Sequence, residues 1–476
     1  MKKIIAITGC ILYMGIVLPA CQKFTEITPK GANILNRVSD LDLLLNYNFS
    51  SGDANSAQAA FSANDVGNLV NDTYAYTTNI PSLITAQTQN LNYAYTVYDA
   101  SIDRKTLAVT DAKYEKMYFI INNVCNVILR NADNASGDRQ KASQYKAEAY
   151  ILRAYMHYML VNLYAKAYDP ATAATDPGIP YVKEDNIISE PNRKSTVAEV
   201  YDNIQADIDA AFQLNSLPRI PVNNMRTGQA FAYGVKALVL LNMRKHTEAL
   251  AAAGQSLSID SVLHDDRLYA PVGTAAYVKP VMTPQENLFY MGAGGSPTVA
   301  SPSIEITSHI YEPGNIVNSY VEPYYALDNP FSGIAGSKLW LSQGGVYAIN
   351  TAGLTTSDTY LIQAECHARS GNLNEALRII NKIRERRIHP NDFTPVSANT
   401  TAGVMALLMR TSRIEFLYSM RNFFNIKRWN TEPDYQQTIT RTVNGVTYSL
   451  APDSPLWIFP FPQSATNYNN ELTQNY

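Results

Sequence analysis

Apolar residues recur at helical spacing through the middle and the C-terminal part of the chain. Between residues 111 and 165 the apolar positions follow one another at steps of three and four, which is typical of buried helix faces. A short capped helix is predicted at 40–47, where an aspartate precedes a leucine run. The same periodicity predicts further helices at 196–214, 227–259, 356–388 and 402–423. The pattern therefore predicts a mostly α-helical protein.

Two long segments lack clear periodicity. Residues 65–100 are rich in Ser, Asn, Thr, Ala and Tyr, and residues 265–350 are rich in Pro, Gly, Ser and Tyr. Both compositions are typical of loops. Asn444-Gly445 predicts a β hairpin near the C-terminus. The predicted fold class is thus mostly α, with long irregular loops and a few short β hairpins on a helical scaffold.

An internal repeat lies within the helical part of the chain. Five residues of one predicted helix pair reappear 127 positions later in the same order. The two sets are Tyr233, Ala237, Glu248, Ala249 and Leu250, and then Tyr360, Ala364, Glu375, Ala376 and Leu377. The alanines of each set are 12 positions apart, and such small residues let two antiparallel helices approach closely across a short turn. In the second set this turn contains Gly371, a residue that suits the end of a helix. The spacing resembles interrupted tetratricopeptide repeats, with a chance match of two amphipathic helices as the alternative.

The N-terminus carries a signal for export. Met1-Lys2-Lys3 precedes an apolar run at 4–17, and Leu18-Pro19-Ala20-Cys21 follows it. This order predicts a lipoprotein signal peptide over 1–20, a lipid on Cys21 and a tether over 21–30. Residues 31–476 are predicted to form a single domain. An ordinary cleaved signal peptide and a single anchor helix are the alternatives.

Composition narrows the class of partner. Charged residues make up 17% of the 476 residues, the formal net charge is −3, and no basic block stands out, which argues against nucleic acid as a partner. The chain has 32 tyrosines against 14 phenylalanines, a bias that suits contact with partly polar ligands. Cys125 and Cys366 fall in apolar helical patterns. Two buried free thiols are the default prediction for them, with a single disulfide as the alternative.

Signatures of catalysis and metal binding are absent from the sequence. There is no Gly-x-Ser-x-Gly, no Gly-x4-Gly-Lys-Ser/Thr and no His-Glu-x-x-His, and the six histidines show no metal-ligand spacing. We therefore expect no enzyme activity, no cofactor and no metal. A catalytic pair of carboxylates from distant positions stays an open alternative.

Several motifs together resemble one known family. Residues 146–155 read Lys-Ala-Glu-Ala-Tyr-Ile-Leu-Arg-Ala-Tyr, residues 413–416 read Arg-Ile-Glu-Phe, and residues 421–429 end in Lys-Arg-Trp. Phe-Pro-Phe-Pro-Gln follows at 459–463. With the export signal and the interrupted repeats, these motifs are similar to those of the SusD/RagB family of outer-membrane nutrient-binding lipoproteins. Asn425 stands where an aspartate is usual in the family.

The resemblance implies a structural ion-pair cluster near the C-terminus. We expect it to involve Arg413, Glu415, Arg421 and Arg428, with one carboxylate missing because of Asn425. A catalytic or anion-binding role for this group is the alternative. We favour a structural role for these residues, because the planar guanidinium group of arginine binds carboxylates in a two-pronged way and commonly holds one segment of a protein against another.

The resemblance also implies a function. Such a protein would be lipid-anchored in the outer membrane and exposed at the cell surface, and would bind oligosaccharides and deliver them to a SusC-like TonB-dependent transporter. A scaffold that binds peptides instead, a surface glycan hydrolase and an adaptor that binds only proteins are the alternatives. The loops are rich in Tyr and Asn and poor in charge, which favours a glycan ligand.

Aromatic residues of the two loop segments are the candidate ligand contacts. Trp340 ranks first, because it is the one tryptophan outside the C-terminal region and follows a Gly-Ser loop. The other candidates are Tyr74, Tyr76, Tyr290, Tyr325, Tyr311 and Tyr320. Their ring faces would stack on the C–H faces of sugars. Packing of Trp340 against the scaffold is the alternative, since tryptophan is highly buried on average.

Overall fold

A computed structural model describes most of the chain beyond the predicted signal and tether. The described residues are 35–47, 49, 60–75, 78–87, 89–186, 190–269, 286–292, 300–321, 326–328, 331–340 and 350–476. Cys21 and the apolar run at 4–17 lie outside them. Within the described residues, no helix is both long enough and apolar enough to cross a bilayer.

Helices make up most of the described chain. In the first half they are α1 Val38–Leu45, α2 Asn64–Leu69, α3 Ile80–Ala86, α4 Leu91–Val97, α5 Arg104–Leu107, α6 Ala112–Ile120, α7 Asn126–Asn131 and α8 Arg139–Tyr164. In the second half they are α9 Val197–Gln213, α10 Gln229–Asn242, α11 His246–Ile259, α12 Thr356–Arg369, α13 Leu373–Glu385, α14 Thr401–Glu415, α15 Met420–Trp429 and α16 Gln463–Thr466. The mostly helical fold class predicted from the sequence is confirmed.

Shorter helical turns complete the helical part. The π-helical turn Ile121–Cys125 joins α6 to α7. Further turns are Asp266–Tyr269, Ile306–Ile310, Val317–Val321, Pro433–Tyr435 and Pro455–Trp457.

The strands are short and form separate antiparallel pairs. They are β1 Thr73–Ala75, β2 Pro177–Pro180, β3 Lys194–Thr196, β4 Asn287–Phe289, β5 Ala300–Pro302, β6 Ala326–Asp328, β7 Lys338–Trp340, β8 Leu354–Thr355, β9 Ile439–Val443 and β10 Val446–Leu450. The pairs are β1–β5, β2–β3, β4–β8, β6–β7 and β9–β10. Among the strand pairs of the described residues, only β9–β10 is a tight hairpin, and it turns at Asn444-Gly445, as predicted, with both φ angles positive.

The repeated sequence units are two helical hairpins. The predicted helical stretches at 227–259 and 356–388 each divide into two helices, α10–α11 and α12–α13. Ala237, Ala249, Ala364 and Ala376 are all fully buried. Gly371 ends the turn between α12 and α13 with φ +81°, the backbone conformation that favours glycine. Helix α11 packs against α12, so the two hairpins stack directly although they are far apart in sequence.

Side-chain caps determine where several of the long helices begin. Thr196 and Glu199 form a reciprocal capping box at the start of α9. Thr355 and Asp358 do the same for α12. Asp138 accepts two backbone N–H groups at the start of α8.

One continuous hydrophobic core extends from Val38 to Leu472. Helix α8 lies inside it and is buried on nearly all sides. The proline-containing tail packs on this helix, since Phe461 stacks on Tyr164 at a centroid distance of 5.7 Å. Cys125 and Cys366 are both buried and free, as the default prediction had it.

Candidate ligand-binding site

The two segments predicted to bind ligand meet in a group of four short strands. β1 belongs to the first segment, and β5, β6 and β7 belong to the second. β1 pairs with β5, so Tyr74 stands opposite Ser301. β6 pairs with β7, which also lies against β5. We call these four strands the strand patch. The structure therefore brings together two segments that are about 200 positions apart in the sequence.

Trp340 belongs to the strand patch by its backbone. It is the last residue of β7, and its Cα partner is Ala326 at the start of β6. Tyr325 directly precedes β6 in the sequence, and Tyr76 directly follows β1. The side chains of Trp340 and Tyr320 lie outside the described residues, as do Tyr76 and Tyr325 altogether. Ligand stacking by these four residues stays a prediction.

Tyr74 is buried within the strand patch. Its ring packs with Ile80 and Val443, and its hydroxyl accepts the N–H of Ile304 at 3.2 Å. Burial raises the pKa of the Tyr74 hydroxyl above its ordinary value, although the hydrogen bond from Ile304 opposes the shift. Because the ring is enclosed by protein, Tyr74 joins the two segments and offers no open face for a sugar. The expectation that it stacks on ligand is corrected accordingly.

Tyr290 and Tyr311 are buried as well. Tyr290 follows β4, is fully enclosed, and donates its backbone N–H to Asn224 at 2.6 Å. Burial raises the pKa of its hydroxyl well above the ordinary value. Tyr311 packs against Ile306 and Leu417. Like Tyr74, these two tyrosines pack against the rest of the protein. Their assignment as stacking platforms is corrected for the same reason.

Arg413 ties the strand patch to the helical scaffold. It lies near the end of α14, and its Nε donates to Asp72 Oδ1 at 2.7 Å, while Nη2 donates to the Val70 carbonyl at 3.0 Å. Asn422 donates to the other oxygen of Asp72 at 2.8 Å. Burial raises the pKa of Asp72, and the Arg413 guanidinium opposes that shift. Asp72 directly precedes β1, so this contact determines where the first segment enters the patch.

Arg441 also holds the first loop segment in place, and we call Arg413 and Arg441 the clamps of the strand patch. The sequence analysis did not identify Arg441 in this role. It lies on β9, and its guanidinium is buried. It donates to Asn71 Oδ1 at 3.2 Å, to the Thr96 carbonyl at 2.8 Å and to the Asn68 carbonyl. In return, Asn71 donates to the Thr440 carbonyl at 2.8 Å. An arginine on the inward-facing side of a strand next to an Asn-Gly turn was the available signal, but its partners are distant in sequence.

The other three members of the predicted ion-pair cluster have separate partners. Glu415 accepts from Arg387 at 2.7 Å, and Arg421 donates to Asp358 at 2.8 Å. Arg428 forms a two-pronged pair with Glu365, both contacts being 2.7 Å. With Arg413, these residues therefore make four distinct pairs along the scaffold rather than a single cluster.

The pair of Arg428 with Glu365 is the most enclosed of these. Burial alone would raise the pKa of Glu365, but the guanidinium groups of Arg428 and Arg369 outweigh it and lower that pKa to about 2. The indole N–H of Trp429 points at the same carboxylate, and the Arg428 guanidinium lies 5.4 Å from the Trp429 ring centre. Trp429 is thus a packed aromatic beside a guanidinium, as expected.

Among the residues that the structure describes, no group of three or more His, Cys, Asp or Glu side chains is arranged to hold a metal ion. His157 is fully buried, and its two ring nitrogens contact the Arg153 carbonyl and the Val182 N–H. It serves as a packing residue in α8.

Two protein-family models match separate parts of the chain. Residues 53–241 match a family described as starch-binding and associating with the outer membrane. Residues 344–476 match the SusD family. The stretch between the two matches contains most of the second loop segment. No curated protein matches the chain.

Solved structures of low sequence identity share the fold. A SusD superfamily protein from Bacteroides thetaiotaomicron is 17% identical with a TM-score of 0.68, and the match covers 92% of this chain and 100% of that one. One from Bacteroides vulgatus is 18% identical with the same TM-score, covering 92% and 99%. A SusD-like carbohydrate binding protein from Bacteroides vulgatus is 16% identical with a TM-score of 0.65, covering 93% and 98%.

These likenesses agree with the motifs and with the stacked helical hairpins. The two family matches lie on either side of the second loop segment, and the shared fold runs through both. The chain belongs to the SusD/RagB family.

Proposed function

We propose that this protein binds oligosaccharides at the strand patch and delivers them to a TonB-dependent outer-membrane transporter. The observation that carries the proposal is the meeting of the two loop segments in β1, β5, β6 and β7. Trp340 ends one of these strands, and Tyr76 and Tyr325 adjoin two others in the sequence. A rigid scaffold that presents aromatic loop residues is an arrangement suited to capturing sugars.

We further propose that the mature chain begins at a lipidated Cys21 and that residues 31–476 act as one unit. The family description as associating with the outer membrane supports this placement. The hydrophobic core supports a single unit, because it is continuous through the described residues from Val38 to Leu472. The stacked hairpins would give the transporter a broad, stiff surface. On this proposal Cys21→Ser releases the protein from the membrane fraction and supplies a soluble form for binding studies.

Calorimetry with panels of oligosaccharides and of short peptides tests the binding proposal. We expect at least one oligosaccharide to bind, and Trp340→Ala to weaken that binding about tenfold or more, as loss of a stacking platform does elsewhere. Tyr468→Ala is the control, because Tyr468 is 87% exposed and lies outside the strand patch. Both variants should melt as the wild type does.

Three results would count against the proposal. Binding of peptides with no response to any oligosaccharide would favour the peptide-binding alternative. An unchanged affinity in Trp340→Ala would remove Trp340 from the site, and the proposal would then depend on Tyr76 and Tyr325 alone. Turnover of a glycan that persists through repurification would instead favour the hydrolase alternative.

A further inference from the structure

An exposed apolar loop joins α9 to α10. Its residues Ile220 and Val222 are 76% and 79% exposed, and Leu43 on α1 is 72% exposed. Among the described residues, these are the three most exposed large aliphatic side chains. We call residues 218–222 the proline loop. Apolar side chains scattered singly over a surface are ordinary, but a concentration of the most exposed ones in one part of a molecule marks a contact surface.

The backbone of the proline loop is held in place. Pro218 and Pro221 restrict its φ angles. The backbone N–H of Gln229 donates to the Pro218 carbonyl at 2.9 Å, which closes the loop. A Cβ on Gly228 would lie 2.8 Å from Cδ of Pro221, so the absent side chain lets the two sides of the loop approach closely. The two apolar side chains therefore project from a closed loop with a fixed base.

The proline loop lies at the end of the molecule where α8 begins. Asp207 of α9 pairs with Arg153 of α8 at 2.7 Å. Nine residues later, Ser216 hydrogen-bonds to Ser143, which is ten positions nearer the start of α8, at 3.2 Å. The chain therefore runs toward the start of α8 as it enters the proline loop.

The first described residues lie at the same end. The Val38 N–H donates to the Ser136 carbonyl at 3.0 Å, and Ser136 directly precedes the turn into α8. Helix α1 begins here and carries Leu43. The neighbouring Asp42 accepts from Arg226, which follows the proline loop, at 2.9 Å. The start of the folded chain, Leu43 and the proline loop thus share one end of the molecule.

The predicted tether would bring this end close to a lipid bilayer. On the proposed lipidation of Cys21, 14 residues lead from the lipid to Leu35. Such a stretch spans at most about 50 Å, since an extended chain covers about 3.3–3.6 Å per residue. The opposite end of the molecule is farther from the anchor, because α8 alone, with 26 residues, is about 39 Å long. The bilayer is therefore an apolar phase within reach of the proline loop.

The chemistry of the proline loop suits a lipid surface. Its one charged residue is Arg219, and the sequence has no acidic residue between Asp209 and Glu248. A long cationic side chain covers apolar surface with its stem while its guanidinium stays at the headgroups. A tip with two projecting aliphatic side chains is small for a stable protein interface, which buries about 800 Å² on each partner. A bilayer, in contrast, requires no matching shape.

We infer that the proline loop inserts Ile220 and Val222 into the surface of the lipid bilayer and so fixes which end of the protein faces the membrane. Leu43 is the further apolar contact that this orientation offers. The inference rests on the lipidation of Cys21 proposed above and goes beyond it, because a tether alone leaves the orientation of the protein free. It involves no residue of the strand patch.

Quenching by lipids with a nitroxide on the acyl chain tests the contact. The probe is the lipidated full-length protein in phosphatidylcholine vesicles, with a small fluorophore on Ile220→Cys. Cys125 and Cys366 are buried and should stay unlabelled. We expect the label to lose most of its fluorescence. Tyr468→Cys is the matched control, because Tyr468 is 87% exposed and belongs to the tail that packs at the far end of α8, so its label should stay bright.

Sedimentation with the same vesicles tests the loop without a label or a lipid anchor. In the soluble Cys21→Ser form, Ile220→Ser combined with Val222→Ser should lower the affinity for vesicles about tenfold or more, because two apolar contacts are lost. Val109→Ser is the control, since Val109 is 59% exposed and its carbonyl accepts the N–H of Ser464 in the tail. Oligosaccharide binding should be unchanged in all of these variants, which separates this result from a failure at the strand patch.

Several outcomes would overturn the inference. An unquenched Ile220→Cys label on protein that remains bound to vesicles would do so and would leave the lipidation of Cys21 intact. Equal quenching of both labels would show that no particular end faces the bilayer. Shielding of the Ile220→Cys label that increases with protein concentration and needs no lipid would assign the loop to contact between copies of the chain. Unchanged sedimentation in the combined serine variant would also refute it. If the wild type stays soluble, Cys21 is not lipidated, and the sedimentation result decides on the loop by itself.

Discussion

The helical hairpins and the strand patch are stabilised by different kinds of contact. In the hairpins, buried alanines such as Ala237 and Ala249 let helices that are neighbours in sequence approach closely. The strand patch is built from strands of three residues, which are too short to be stable alone. Its contacts come from distant positions, as in the pair of Arg413 with Asp72, 341 residues apart.

This difference separates global from local stability. Damage inside the scaffold should destabilise the whole protein, because its core is continuous. Damage at the clamps on the strand patch should open only the patch, since short strands and loops belong to the less stable end of a fold. The four variants below test this distinction, from the largest expected effect to the smallest.

Arg428→Met should have the largest effect. It leaves the buried Glu365 with Arg369 as its one remaining arginine partner, and breaking a buried ion pair in this way costs about 3–5 kcal/mol. Chemical denaturation should show a loss of this size in the free energy of unfolding. Arg378→Met is the control, because Arg378 pairs with Glu375 at the surface and should contribute less than about 1 kcal/mol. Equal losses in both variants would contradict the prediction that the buried pair in the scaffold contributes more to the free energy of unfolding than the surface pair does.

Acid should destabilise the scaffold through His157. Burial lowers the pKa of His157 to about 3 from an ordinary value of 6.5. Between these values the unfolded chain binds a proton that the folded chain does not, so stability falls as the pH drops below about 6.5. The contribution is on the order of 3 kcal/mol by pH 4.

The neutral variant His157→Gln isolates this effect. Glutamine has one donor and one acceptor for the contacts to Arg153 and Val182, but it does not titrate. Denaturation between pH 7 and pH 4 should therefore give a shallower loss of stability in the variant than in the wild type. Parallel pH profiles would show that the acid sensitivity arises elsewhere.

Ala376→Leu tests the close approach of the two helices in the second hairpin. Ala376 is fully buried in α13, so the added carbons must force the helices apart at a cost of about 1–3 kcal/mol. Thermal unfolding should show a lower midpoint. Ala251→Leu, on the exposed side of α11, is the matched control and should change little. An unchanged midpoint in Ala376→Leu would mean that the hairpins are not closely packed there.

Arg413→Lys should have the smallest effect on the global stability of the protein. Its effect should be confined to the strand patch. Lysine keeps the charge near Asp72 but has no planar fork to bind Asp72 and the Val70 carbonyl together, a loss of about 1 kcal/mol. Hydrogen exchange should speed up in residues 69–75, while exchange in α8 stays unchanged. Oligosaccharide binding at the strand patch should weaken in parallel. Faster exchange throughout the protein would place Arg413 with the scaffold instead.

Local chemistry explains why much of the fold was predictable. The spacing of apolar residues predicted the long helices, the shared alanines predicted the two hairpins, and Asn444-Gly445 predicted the hairpin β9–β10. Each of these signals acts between residues close together in the chain. The division of 227–259 into two helices was implied only by the repeat, because apolar periodicity continues across the turn.

The candidate sites were less predictable. Tyr74 and Tyr290 looked like exposed loop aromatics, yet they are buried, because composition does not reveal which face of a loop meets the scaffold. Asp72 and Arg441 had no visible partners, since those lie hundreds of positions away.

The sequence by itself determined the helical framework, the repeat and the family, because these depend on residue patterns within one element or one pair of elements. Only the tertiary structure decided the meeting of the two loop segments and the separate partners of the predicted ion-pair residues. The physical reason is that burial, charge pairing and hydrogen bonding depend on which distant residues the folded core brings into contact.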